Sequence, residues 1–198
     1  MNKIIPLPEP KLTGSASLEE LLANRRSIRQ FTNKALDNTQ IAQLVWAGQG
    51  ITDKNSGKRT APSAGALYPL QLYIATAEGL FIYYPSKHAL KQIDYIDLRK
   101  DLSVAAFGQA AISCAPCVII ITGIADILAV KYGDRANRYM LLEAGHAAQN
   151  ILLQATAMQL GAVPIGAFSD EKVHKICRMP KNTEPLYIIP IGHPEQPQ

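Results

Sequence analysis

The order of hydrophobic and polar positions predicts alternating helices and strands along this 198-residue chain. Ser17-Leu18-Glu19-Glu20 has the form of a capping box, so a helix is expected to begin near Leu18. In chain order, the spacing then predicts a helix over 38–48, a polar loop over 52–60, strands over 70–76 and 80–84, a helix over 99–111, a strand over 117–122, a short helix over 170–177 and a last strand over 186–191. We therefore expect an α+β fold with a central, mostly antiparallel sheet flanked by helices.

The longest helical pattern runs from Ala136 to Leu160 and is apolar on nearly every face. Such a helix is about 37 Å long at 1.5 Å per residue, and a helix that is apolar all round is expected to be buried on all sides. Packing against the same helix of a second copy would bury it, and small residues such as Ala144 and Gly145 would permit close approach. Gly161 stands where a glycine commonly ends a helix.

Composition indicates one globular domain over 1–198, with residues 1–16 as an N-terminal extension, because 47% of the residues are hydrophobic and 18% are charged. The net charge of +4 suits a small anionic ligand and is too diffuse to indicate nucleic acid. Prolines interrupt the amino-terminal stretch, so no signal peptide is predicted. The apolar stretch over 110–130 contains Pro116 and Asp126, which favours core over a membrane span. We expect a cytoplasmic protein without a membrane partner.

Cysteine and histidine positions give no sign of a metal or redox site. Three cysteines without a secretory signal predict a reduced protein. Cys114 and Cys117 form a C-x-x-C, but a β-branched strand follows them rather than a helix, which favours a buried structural role. The four histidines lack the spacing of metal ligands. His146, on the apolar helix, is interpreted as a core histidine.

Three segments carry residues suited to a flat, anionic ligand. Residues 25–29 contain three arginines and a serine, which bind phosphate well but which also occur on solvated basic faces; if the first helix continued, Arg25 and Arg29 would face one way. Residues 61–69 combine small residues with two prolines, which either let the backbone approach a ligand or form an ordinary connection. Residues 161–168 offer backbone N–H groups around Gly166 and Ala167.

Four motifs in this order resemble the FMN-dependent nitroreductase family, and in particular its SagB-type subgroup, which includes azoline dehydrogenases. The motifs are RRSIRQF over 25–31, PSAGALYPLQLYIA over 62–75, KYGDRANRYMLLEAGHAAQN over 131–150 and GAVPIGAF over 161–168. The resemblance implies a nitroreductase-like fold and an intertwined homodimer with FMN at the subunit interface. It also implies NAD(P)H as the electron donor.

The resemblance assigns cofactor contacts to positions in these motifs. Arg25 and Ser27 would reach the phosphate or ribityl chain with Arg26 beside them, and Arg29 would approach the pyrimidine edge of the flavin. The remaining cofactor-binding positions implied are Pro62, Ser63, Ala64 and Gly65 beside the ring, and Pro164, Ile165, Gly166 and Ala167 at flavin N5. No arginine or lysine follows Lys181, so phosphate binding would depend on the N-terminal arginines, with Arg135 or Arg138 as candidate helpers.

The implied function is transfer of hydride between NAD(P)H or an organic substrate and an acceptor. Two reactions are open: reduction of nitro or quinone compounds, and oxidation of a carbon–nitrogen ring in a small molecule or modified peptide. For the second, the resemblance implies Lys131 and Tyr132 as catalytic residues that accept a proton. The alternative is a solvated lysine beside a tyrosine that covers the core. A different class also stays open, a flavin-binding or flavin-processing protein with little redox turnover.

Overall fold

The computed structural model describes residues 3–195, which build a seven-stranded antiparallel sheet and a separate two-stranded hairpin. The strands are β1 (Ile4–Pro6), β2 (Ile51–Asp53), β3 (Lys58–Arg59), β4 (Leu70–Thr76), β5 (Gly79–Tyr84), β6 (Ala89–Asp94), β7 (Cys117–Gly123), β8 (Gly161–Ala162) and β9 (Glu184–Gly192). The large sheet has the order β1-β6-β5-β4-β7-β9-β8, and every neighbouring pair in it is antiparallel. The predicted α+β fold is confirmed.

Helices cover both faces of the sheet. They are α1 (Leu18–Asn24), α2 (Asn38–Gln49), α3 (Arg99–Ala105), α4 (Ala110–Cys114), α5 (Ala125–Tyr132), α6 (Ala136–Ala157) and α7 (Asp170–Ile176). The capping box predicted at Ser17 is present, and Asp37 forms a second one with Gln40 at the start of α2. Within residues 3–195, no helix has both the length and the apolar character that a membrane crossing requires.

The central strand β7 separates two hydrophobic cores and is buried along its whole length. Ile119 and Ile121 point into the core that α2 and α6 cover, whereas Val118 and Ile120 point into the core beneath α3, α4 and α7. This division follows from the period of two in a β-strand. A strand buried on both faces is apolar at nearly every position, which is why the run over 117–122 showed no polar alternation; its one polar residue, Thr122, donates to the carbonyl of Gln71.

Four local features differ from the sequence predictions. The stretch over 52–60 includes the β2–β3 hairpin rather than only a loop. The predicted helix over 99–111 is two helices, because Phe107 and Gly108 adopt left-handed φ values of +58° and +79° and interrupt it. Strands β1 and β6 were not predicted. β6 places Lys91, Gln92 and Asp94 among its residues, which hides the alternation of its apolar positions.

Helix α6 differs from its prediction at its end and on one face. It ends at Ala157, and the left-handed residue that follows is Gln159 (φ +56°), so Gly161 does not end the helix but begins β8. Its apolar surface is not buried on all sides in the single chain: Leu141 and Leu142 are 58% and 53% exposed. The sheet can cover only one face of a helix, so the opposite face remains open.

Candidate active site

The arginine segment, residues 25–29, is not helical. Helix α1 ends at Asn24, so Arg25 and Arg29 are not helical neighbours as considered from sequence. Instead Ser27 forms a β-bridge with Ala162, and the N–H of Ile28 donates to the carbonyl of Ala162 at 3.0 Å. The structure therefore joins two of the sequence motifs, the arginine segment and residues 161–167, side by side.

Alternate residues of the arginine segment point in different directions. Arg26 and Ile28 line a cleft with Thr156 and Gln159 at the C-terminal end of α6. By the alternation of an extended chain, Arg25, Ser27 and Arg29 point the other way. Arg26 donates through Nη1 to the carbonyls of Ala23 and Arg25, at 2.8 and 2.9 Å, and so caps the end of α1.

Arg25 and Arg29 carry charges that the described chain does not neutralise. The two ion pairs within residues 3–195 involve Arg99 and Arg178 instead. Neither guanidinium has an acidic partner in the described chain, so both can donate charge-assisted hydrogen bonds to a bound anion. The segment thus has the donors and the charge that a phosphate group requires.

Residues 161–167 run from the end of α6 along β9. Ile165 pairs with Ile188 through two backbone hydrogen bonds of 2.8 and 2.9 Å. Beyond Ile165 the chain leaves the strand, and Gly166 and Ala167 are exposed. Within residues 3–195, neither of these two residues donates a backbone hydrogen bond. Their N–H groups are therefore available to a ligand, as the sequence predicted.

Gln109, in the connection between α3 and α4, was not predicted as a site residue. Its Nε2 donates to the carbonyl of Ala167 at 3.0 Å, and the N–H of Ser169 donates to the carbonyl of Ala105 at 2.9 Å. These bonds hold the end of the 161–167 segment against the α3–α4 connection. Gln109 follows Phe107 and Gly108, whose positive φ values interrupt the helix. Because the spacing predicts one continuous helix over 99–111, nothing in the sequence pattern pointed to Gln109.

The second predicted group of residues forms a tight turn over 63–68. Ala64–Ala66 is a short 3-10 helix, and Gly65 has a left-handed φ of +61°. The hydroxyl of Ser63 accepts a hydrogen bond of 2.8 Å from the N–H of Tyr68. Pro62 is exposed and Ser63 half-buried, so this turn presents the predicted ligand-facing residues at the surface.

Lys131 and Tyr132 lie against this turn. They are the last two residues of α5, rather than the start of the long helix. A Cβ built at Gly65 would stand 2.9 Å from Tyr132 Oη and 3.1 Å from Lys131 Nζ. The ammonium of Lys131 lies 5.5 Å from the ring centre of Tyr132, within reach of a cation–π interaction. The fold thus assembles Gly65 and the two predicted catalytic residues in one place.

The buried carboxyl of Glu143 completes this group and was also missed. Glu143 lies on α6, is 5% exposed and accepts a hydrogen bond of 2.8 Å from the N–H of Ala64. Burial raises the pKa of Glu143 above its ordinary value, although hydrogen bonds from Ala64 and Ser63 and the nearby His146 oppose that shift. A glutamate on a helix usually marks a solvated face, so sequence alone gave no reason to place it inside.

The two groups stand at different levels along α6 in one chain. The arginine segment lies beside Thr156, whereas the 63–68 turn is held at Glu143. From Glu143 to Thr156 the helix rises by about 20 Å at 1.5 Å per residue. The resemblance implied that both groups border one cofactor, and a single chain does not bring them together.

Other candidate residues lie elsewhere. Cys117 is buried, as predicted, but Cys114 is exposed at the end of α4, so the pair is not a buried unit. His146 is exposed on α6, and its interpretation as a core histidine was wrong. Across residues 3–195, histidine, cysteine and acidic side chains do not gather in groups of three that could hold a metal ion.

Comparison with known proteins places this fold among nitroreductases. A protein of Methanocaldococcus jannaschii that carries the name nitroreductase is 36% identical over 181 residues, which cover 88% of this chain and 90% of that protein. A crystal structure named as a nitroreductase from Ralstonia eutropha superposes with a TM-score of 0.89 at 27% identity, over 98% of this chain and 90% of that one.

A more distant relative is named for its reaction. The FMN reductase (NADPH) of Bacillus subtilis is 25% identical over 191 residues, and the match covers 88% of this chain but only 65% of that enzyme. The sequence model of the nitroreductase family matches residues 22–193, which include all four motifs singled out above. Together with the shared fold, this match shows that the chain belongs to the nitroreductase family.

Proposed function

We propose that the protein is an FMN-dependent oxidoreductase that transfers hydride between NAD(P)H or an organic substrate and an acceptor. The observation that carries the proposal is the pairing of the arginine segment with residues 161–167, since it joins uncompensated cations to open backbone N–H groups. Family membership and the Bacillus subtilis relative named for FMN reduction support the same cofactor and electron donor. When bound, FMN would supply the hydride chemistry.

The residues present fit an FMN phosphate and ring. Arg25 and Ser27 would donate to the phosphate or ribityl oxygens, with Arg26 beside them at the end of α1. Arg29 would stand at the pyrimidine edge, where a cation favours negative charge on the ring. Gly166 and Ala167 would donate N–H groups towards the ring, and the neighbouring Pro164 and Ile165 would shape its edge. In this arrangement the chain binds and orients the cofactor.

A homodimer would complete the site. The exposed apolar face of α6 contains Leu141 and Leu142, and a Cβ added at Gly145, near the middle of the helix, would touch nothing within 4 Å. If two copies of α6 crossed in opposite directions near Gly145, the C-terminal end of one would lie beside the N-terminal part of the other. The arginine segment of one protomer would then face the 63–68 turn of its partner, and Ser63, Ala64 and Gly65 would border the ring from across the interface.

The position of Lys131 and Tyr132 favours a substrate that loses a proton as it is oxidised. Both side chains converge on Gly65, at the side of the turn where the proposed dimer places the flavin. There the deprotonated amine of the lysine, or the phenolate of the tyrosine, would accept the proton while the same substrate gives its hydride to the flavin. Dehydrogenation of an azoline-type ring in a modified peptide is such a reaction. Reduction of nitro or quinone compounds by NAD(P)H is the other candidate and needs no base in this position.

Cofactor analysis and kinetics test this proposal. The purified protein should show flavin absorption, release FMN on denaturation, and oxidise NADH or NADPH when an acceptor such as a quinone is added. Bound FMN without turnover of any acceptor would favour a flavin-binding or flavin-processing protein, and failure to bind FMN would contradict the proposal. Lys131→Ala and Tyr132→Phe should leave FMN content and flavin reduction by NAD(P)H unchanged and slow only substrates that lose a proton.

A further inference from the structure

The 63–68 turn holds an unfavourable backbone conformation. Gly65, Ala66 and Tyr68 have φ values of +61°, +54° and +51°. Residues other than glycine rarely adopt this left-handed region, and they keep it only where the surrounding structure holds them there. Two sets of contacts hold this turn, one at each end.

The later end is held by Arg59. The N–H of Arg59 donates to the hydroxyl of Tyr68 at 3.1 Å, and the guanidinium lies 4.6 Å from the centre of the Tyr68 ring. The earlier end is held by Glu143, which accepts from the N–H of Ala64 and lies beside the Ser63 hydroxyl. The same Ser63 hydroxyl accepts from the N–H of Tyr68, so the carboxyl stands beside the hydrogen bond that closes the turn.

The burial of Glu143 has no ion pair to offset it. Among residues 3–195, no lysine, arginine or histidine nitrogen lies within ion-pair distance of its carboxyl. A buried carboxylate costs free energy unless its oxygens are hydrogen-bonded, and the hydrogen bonds found here come from the turn. A leucine or alanine would pack into an apolar helix without that cost. The contacts of Glu143 are thus directed at the turn and not at the stability of α6.

We propose that Glu143 is a positioning residue that fixes the 63–68 turn against Lys131 and Tyr132. A Cβ added at Gly65 would meet the ends of both side chains, so the position of the turn limits where the two proton-accepting groups can stand. The role in proton transfer rests on the proposed function, whereas the hold of Glu143 on the turn does not.

Asn150 offers a matched control on the same helix. It lies two turns further along α6 and donates through Nδ2 to the carbonyl of Thr60 at 3.3 Å, just before the 61–69 connection. Asn150→Leu therefore removes a bond from α6 to the same region without touching the turn. Glu143→Met removes both acceptor oxygens at similar length, and Glu143→Gln keeps one acceptor for the N–H of Ala64.

Amide hydrogen exchange of the cofactor-free protein tests the hold directly. In Glu143→Met the amides of Ala64 and Tyr68 should exchange about tenfold faster or more, the scale of one lost hydrogen bond to a charged group. Amides of the sheet should be unchanged. Asn150→Leu should leave Ala64 and Tyr68 as in the wild type. Unchanged exchange at Ala64 and Tyr68 in Glu143→Met, or equal acceleration throughout the chain, would overturn the inference.

The glutamine variant decides the matter if the methionine variant does not fold. Glu143→Gln should keep the amide of Ala64 protected, within about twofold of wild type, because the amide oxygen still accepts. Loss of that protection would overturn the inference. In the FMN-loaded protein, Glu143→Met should lower kcat for a substrate that loses a proton, while flavin reduction by NAD(P)H proceeds as before and glutamine restores much of the loss. If wild type binds no FMN, the proposed function fails while the exchange result still stands.

Discussion

Gly161 lies directly against Ile28: a Cβ on Gly161 would stand 2.6 Å from Cγ2 of Ile28. This close approach lets the N–H of Ile28 reach the carbonyl of Ala162, and it joins the arginine segment to residues 161–167. A glycine that the sequence suggested as a helix end therefore serves the assembly of the proposed cofactor site. Gly161 does not have a left-handed φ, so its small size matters here and not its backbone freedom.

Gly161→Ala should lower both stability and FMN affinity. The new methyl group must push Ile28 away, and inserting a methyl group into a packed site costs about 1–3 kcal/mol. Thermal unfolding and FMN titration measure the two effects. Gly14→Ala is the control, because a Cβ at Gly14 meets nothing within 4 Å. Equal FMN affinity in Gly161→Ala and wild type would show that the junction does not position the cofactor.

Arg25→Ala should weaken FMN binding. A hydrogen bond to a charged group contributes about 1.5–3 kcal/mol, or roughly ten- to a hundredfold in affinity. Arg26→Ala should lose less, because Nη1 of Arg26 already bonds the end of α1. Lys172→Ala, on the exposed surface of α7, removes the same charge away from the site and should bind FMN normally. Arg25 is excluded from the site if its variant titrates like Lys172→Ala.

Leu141→Glu should convert the protein to monomers and abolish FMN binding, since it would place two charges in the proposed interface between α6 helices. Sedimentation velocity measures the change in mass. Ile96→Glu is a matched control, because Ile96 is 57% exposed and Leu141 is 58% exposed. Ile96 lies in the connection from β6 to α3, and α3 covers the face of the sheet opposite to α6. A dimer that survives Leu141→Glu, or a monomeric wild type, would rule out this interface.

The pH dependence of stability should report the burial of Glu143. Its pKa is raised in the folded chain, mainly by desolvation, so the folded state holds the proton more tightly than the unfolded state does. The free energy of unfolding therefore falls as pH rises from the ordinary carboxyl pKa through the raised one. Glu143→Gln lacks this loss, so its stability relative to wild type should increase from acid to neutral pH. A difference that stays constant with pH in urea unfolding would contradict it.

Local sequence patterns predicted most helices, strands and motifs because these features depend on residues that are close together in the sequence. The capping box at Ser17 and the buried strand β7 follow from spacing that no distant contact disturbs. β6 was missed because polar residues, Gln92 and Asp94, occupy buried positions and obscure its alternation. The break at Phe107 was missed because a non-glycine residue with positive φ leaves no mark in composition.

The arrangement of the site depended on contacts that sequence patterns do not encode. A glutamate on a helix is expected to be solvated, and only the structure shows that the 63–68 turn covers Glu143. Gln109 falls inside a helix that the spacing predicts as continuous, and only the structure shows its hydrogen bond to Ala167. The separation of the two groups along α6 also appears only in three dimensions, and it agrees with the cofactor site at the subunit interface that the resemblance implied.

A subunit-mixing experiment tests that shared site most directly. Arg25→Ala disables the arginine segment, and Gly65→Asn adds bulk to the turn while tolerating its left-handed φ; each variant alone should retain little FMN. In a mixed dimer with shared sites, one site carries both changes and the other carries none. Co-expression should then restore flavin absorption at about a quarter of all sites, as random pairing of two-fold symmetric protomers requires. No restoration in confirmed mixed dimers would mean that each chain builds its own site, and would contradict the account.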